Sequence, residues 1–152
     1  MFRKKEEAMT GLVAAAEIDI AAPAPAVWQA LTDPERIKQY FMGATVETDW
    51  QPGSPITWSG EYNGKPFQDK GSIIEVQPQR LLVLTHFSPV TGQPDLPENY
   101  HKITYRLAEQ DGKTNLSLSQ DNNGSDDEVK HSRTTWQNML EAIKRLVESD
   151  PA

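Results

Sequence analysis

The chain has 152 residues, of which 37% are hydrophobic, a formal net charge of −7 and no cysteine. That length fits one domain with a full core, and the lack of cysteine excludes disulfides, thiol catalysis and cysteine–zinc sites. The acidic balance argues against a nucleic-acid footprint, which needs clustered Lys and Arg, and against docking on an anionic membrane. No apolar run approaches the roughly 20 residues of a membrane helix, and a cysteine-free chain suits the cytoplasm.

The start, Arg3-Lys4-Lys5-Glu6-Glu7, is charged and the apolar stretch after it is short, so residues 1–10 are expected to be a disordered tail and 11–150 the domain. Leu12–Ile20 alternates Ile18 and Ile20 with Glu17 and Asp19, the period of a half-buried strand. Pro23 ends it, and Pro25 suits the first turn of a short helix bearing Val27, Trp28 and Leu31. Asp33-Pro34-Glu35 starts a second helix, with Asp33 as N-cap, and Gly43 is a stop.

Strands follow. Val46–Trp50 precedes the turn Gln51-Pro52-Gly53-Ser54; Ile56–Tyr62 and Pro66–Val76 flank the hairpin pair Asn63-Gly64. Gly71 marks a bulge or bend. Arg80–Phe87 is apolar on both faces. Tyr100–Ala108 and Thr114–Gln120 form another hairpin around Gln110-Asp111-Gly112-Lys113. Ser125 or Asp126 caps a last helix running to about Glu148, with Val129, Trp136, Leu140, Ile143 and Val147 on one stripe.

The order predicts an α+β domain: a curved antiparallel sheet of six to seven strands wrapped around a long C-terminal helix, with two short helices after the first strand. Only the last helix is long enough to cover the sheet. A bent sheet around one helix leaves a gap, and aromatic residues from strands and helices must either line it or fill it.

The run Glu17-Ile18-Asp19-Ile20-Ala21-Ala22-Pro23, followed by Val27-Trp28-Gln29-Ala30-Leu31-Thr32-Asp33-Pro34, resembles the opening of START-like (SRPBCC, helix-grip) domains. Gln51-Pro52-Gly53-Ser54, Lys70–Pro78 leading to Arg80-Leu81, Thr114–Gln120, and Trp136 with Leu140 are similar to the branch related to the C-terminal domain of the activator of the ninety-kilodalton heat-shock protein ATPase. In that branch the strand after Arg80 often ends Thr-Trp; here it ends Thr85-His86. The resemblance implies the helix-grip fold, a cavity, and a role in the stress response.

The expected cavity wall is Phe41, Trp58, Phe67, His101, Ile103, Tyr105, Leu118, Trp136, Met139 and Leu140. His101 is in phase with Ile103, Tyr105 and Leu107, so it either faces the cavity or is a hydrogen-bonded residue at a strand end. His131, among charged residues, is expected in solvent. The strand carboxylates Glu17, Asp19, Glu61, Asp69 and Glu75 are expected mostly on the solvated face. Asp121, Asp126, Asp127 and Glu128 lack calcium-loop order and are explained by helix capping. There is no phosphate loop and no nucleophile elbow, so no cofactor, metal or catalytic residue is expected. The leading function is capture of a small hydrophobic, lipid-like or aromatic ligand. The alternatives are a protein-interaction module that assists a chaperone, and a cyclase- or hydrolase-type enzyme in the same cavity using His101 with Tyr105.

Overall fold

Seven strands and three α-helices form over residues 10–149, the part of the chain that the computed structural model describes. In order they are β1 (Leu12–Ile20), α1 (Ala24–Thr32), α2 (Pro34–Tyr40), β2 (Thr45–Glu47), β3 (Pro55–Tyr62), β4 (Lys65–Gln77), β5 (Leu81–His86), β6 (His101–Gln110), β7 (Lys113–Asn123) and α3 (Asp126–Ser149). The sheet runs β1-β7-β6-β5-β4-β3-β2, with every pairing antiparallel. It is the expected α+β arrangement, an open curved sheet with the long helix packed on its inner face.

Local chemistry sets the connections. Asn63 and Gly64 have φ of 53° and 78°, and Asp111 and Gly112 have 55° and 79°. Positive φ at both central positions gives a two-residue turn whose twist matches the strands. Each turn fixes a register: Tyr62 opposite Lys65, and Gln110 opposite Lys113.

The helices start as their sequences dictate. Asp33 Oδ1 accepts from the Glu35 backbone N–H at 3.0 Å and caps α2. Ser125 Oγ accepts from Glu128 N–H at 3.1 Å, and the Glu128 carboxylate reaches back to the Gly124 N–H. Pro23 cannot cap α1 with a side chain; instead the Ala24 N–H donates to Glu109 Oε1 at 2.7 Å, which ties α1 to β6.

The core lies between sheet and α3. Ile20, Ile73, Leu82, Leu116 and Leu118 on the strands meet Leu140 and Ile143 on the helix, all essentially inaccessible. The packed stripe of α3 begins at Trp136; Val129, one turn from the start, stays partly exposed.

The strand expected over Val46–Trp50 stops at Glu47, because Trp50 takes φ of 61° and Asp49 Oδ1 accepts from the Gln51 N–H at 2.9 Å in a local turn. Of the expected N-terminal tail, residues 1–9 lie outside the described residues. Thr10 is tied to β7: its N–H donates to Asp121 Oδ2 at 2.9 Å and its carbonyl accepts from Asn122 N–H at 2.6 Å. Among the described residues no helix is long and apolar enough to cross a membrane.

Candidate functional site

The inner face of the sheet, the end of α2 and the middle of α3 enclose a cavity of about 30 Å³, room for about one water molecule. Six of its fourteen lining residues are aromatic, Tyr40, Phe41, Trp50, Trp58, Tyr105 and Trp136, and they alternate with aliphatic side chains, Met139 and His86. The rings interlock edge to face. Phe41 and Trp58 stand 6.3 Å apart at 61°, and Trp58 and His86 stand 5.0 Å apart at 70°, within the range where such ring pairs attract.

Polar tips on this wall are held in different ways. The Trp136 indole N–H donates to Gln120 Oε1 at 2.6 Å, locking the helix residue to β7. The Tyr40 hydroxyl donates to the Ala30 carbonyl at 2.9 Å. Burial pushes the Tyr40 phenol well above its ordinary pKa, with the nearby Tyr105 adding to the shift. Burial alone raises Tyr105, whose hydroxyl has no hydrogen-bond partner among the described residues.

One polar pair stands out. His86 Nε2 lies 2.8 Å from Asp69 Oδ2. The Asp69 residue is only 4% exposed, and its other oxygen, Oδ1, is buried without a partner among the described residues. The fold brings the two together through turn chemistry. The Asn63-Gly64 hairpin places Asp69 opposite Trp58, on the cavity side, and the Lys70–Phe87 bridge joins the end of β5 to β4.

The structure gathers six of the ten expected wall residues around the cavity: Phe41, Trp58, Ile103, Tyr105, Trp136 and Met139. The other four lie elsewhere. Leu118 and Leu140 are buried in the core and do not line the cavity. Phe67 covers Gly60, where a β-carbon would come within 3.1 Å of its ring. His101 is a hydrogen-bonded residue at a strand end: its Nδ1 pairs with the Asp121 carbonyl at 2.8 Å, so it does not line the cavity. Asp121 is itself committed, accepting the N–H groups of Thr10 and Lys102 on its two oxygens. His131 is exposed on α3.

Alternation along the strands does not bring His86 and Asp69 together as a pair. Asp69, one of the carboxylates expected mostly on the solvated face, is buried on the cavity side. The signal was available in the two-residue hairpin, which counts back from Tyr62–Lys65 to Trp58–Asp69.

A seven-stranded sheet gripping one long helix over an aromatic-lined cavity defines a START-like helix-grip domain. The chain belongs to the family described as Activator of Hsp90 ATPase homolog 1-like protein, whose model matches residues 21–148. It is similar to the solution structure of ChR145 from Cytophaga hutchinsonii, with 45% identity, a TM-score of 0.82, and coverage of 93% of this chain and 96% of that one. DynU16, a protein of the dynemicin biosynthetic locus, shares 19% identity with a TM-score of 0.74 over 90% of this chain and 47% of its own. The Aha1 dimer from Colwellia psychrerythraea shares 20% identity with a TM-score of 0.67 over 93% and 99%. The last two show likeness of fold alone. No curated protein matches the chain significantly.

Proposed function

We propose that this domain reversibly binds a small hydrophobic or aromatic molecule in the cavity between the sheet and α3, in the cytoplasm. The observation that carries the proposal is the convergence of six aromatic side chains on one enclosed space, the usual make-up of a small-molecule site. The space of about 30 Å³ is too small for such a ligand as it stands, so binding requires the wall to open. Phe41 is the movable part: it sits at the C-cap of α2, next to exposed Met42, and packs on Trp58 only edge to face. The test is an NMR titration with lipids, sterols and flavonoid-like aromatics. Saturable shifts at the wall residues support the proposal; none from any compound removes it.

A second reading, a module that assists a chaperone ATPase, is favoured by the family description. The chain's net charge of −7 would suit a basic partner surface. It is tested by measuring the ATPase rate of a chaperone of the ninety-kilodalton heat-shock class with and without the domain. An unchanged rate and no complex would rule it out.

A further inference from the structure

We propose that His86, positioned by Asp69, is the polar anchor of the cavity, and that it selects ligands carrying a hydroxyl of the phenol type on an aromatic body. This rests on the binding function proposed above and names the ligand class for it.

The chemistry of the pair decides which kind of group is recognised. A carboxylate only accepts hydrogen bonds, so the imidazole nitrogen facing Asp69 Oδ2 at 2.8 Å carries the proton. When the ring carries a single proton, that proton therefore sits on Nε2 and Nδ1 is a lone-pair acceptor. Nδ1 has no hydrogen-bond partner among the described residues, and the His86 side chain lines the cavity with 15% of its surface accessible. A group that meets Nδ1 of the singly protonated ring must donate. Apart from Asp69 behind it, the residues lining the cavity with the anchor are aliphatic or aromatic and uncharged, with the Trp58 ring at 5.0 Å. The body carrying the donor should be flat and apolar, and the donor should be a single compact group, because the wall offers no second charge. A hydroxyl on an aromatic ring meets both conditions.

Asp69 does not line the cavity itself. It acts through His86, holding the ring's orientation and tautomer, as partners of the distal ring nitrogen do in other imidazole sites. Its unpartnered Oδ1, buried on a residue 4% exposed, is unusual in a folded domain. It is hard to explain as a stabilising feature alone, and it keeps the carboxylate's remaining acceptor capacity beside the histidine.

The test uses a matched pair of probes, 2-naphthol and 2-methylnaphthalene, which differ in a hydroxyl against a methyl. Wild-type protein should bind 2-naphthol about tenfold more tightly, the effect of one buried hydrogen bond. His86→Phe should bind both equally. Asp69→Asn should weaken the discrimination, because an amide can donate to Nε2 and so move the proton to Nδ1, and a phenol oxygen is a poorer acceptor from an Nδ1–H than its O–H is a donor to a bare Nδ1. Imidazole nitrogen NMR on the wild type needs no variant: free His86 should show the Nε2–H tautomer, and its Nδ1 signal should shift with 2-naphthol but not with 2-methylnaphthalene. If both probes bind wild type equally with no Nδ1 response, the anchor is overturned and the cavity function stands. If neither binds at all, the anchor is overturned, and the cavity function falls with it when the lipid, sterol and flavonoid titrations are silent too.

Discussion

A β-carbon on Gly71 would stand 1.7 Å from the backbone carbonyl oxygen of Thr85. No side chain fits there, because the obstacle is the neighbouring strand's main chain and not a flexible group. The approach lets Thr85 Oγ1 accept from the Ser72 N–H at 2.9 Å, and it lies one residue from the Lys70–Phe87 bridge. Gly71→Ala must push β4 and β5 apart where Asp69 and His86 meet. We expect a loss of about 3 kcal/mol or more, at the upper end for overpacking, measured by urea denaturation. A loss below about 1 kcal/mol would mean that the strands do not approach this closely.

The pairing of Trp136 with Gln120 predicts a coupled pair of residues. Trp136→Phe keeps an aromatic ring but strands the Gln120 amide oxygen, on a residue only 8% exposed. The expected cost is about 1–3 kcal/mol. Gln120→Leu should cost less in the Trp136→Phe background than alone, and a double-mutant cycle measures the difference. Strict additivity would contradict the hydrogen bond.

Met139→Ala removes volume from the cavity wall, where Met139 is 8% exposed. It should destabilise the fold by about 2–4 kcal/mol and create an enlarged apolar space that takes up benzene-sized aromatics, as dry engineered cavities do. Thermal melts with and without benzene check this. Leu140→Ala, in the packed core beside it, should cost as much without adding to the cavity.

Acid should loosen the join between α3 and the chain after β1. The Glu148 carboxylate accepts from the Ala21 N–H at 2.7 Å and from Lys144 Nζ at 2.6 Å. The Ala21 bond first, and the Lys144 bond after it, hold Glu148 below the ordinary glutamate pKa. A carboxyl whose pKa is depressed on folding stabilises the fold above its unfolded pKa. That contribution fades as the pH falls through the folded value. The Ala21 amide shift should follow the Glu148 titration, and the Glu148→Gln variant should lose that pH response. An Ala21 amide that ignores the titration would contradict the contact.

Much of the fold was legible in the sequence because turns and caps are local. Asn63-Gly64, Asp111-Gly112, Asp33 and Ser125 each act through their own backbone, and each sits where its chemistry requires. The site was less legible because its geometry is not local. Alternation along β6 finds the inward row of Ile103 and Tyr105, but it cannot show that His101 at the strand's start is held by the Asp121 carbonyl. The inward row of β5 was undetermined for a physical reason: Leu81 and Val83 are as buried as Leu82 and Leu84, so hydrophobicity marks both faces. The departure Thr85-His86 was visible, but its partner Asp69 required counting register across a hairpin. Likewise, nothing in Leu118 or Leu140 shows that the helix closes onto the sheet there and leaves its gap at Trp136 and Met139.

The central claim is that the aromatic cavity opens to a ligand, and an amide and indole NMR titration with small aromatics tests it most directly. The predicted result is saturable shifts centred on Phe41, Trp58, His86, Tyr105 and Trp136, including the indole N–H signals of Trp58 and Trp136. Shifts spread over the outer face, or no saturable change at these residues with any compound, would contradict it.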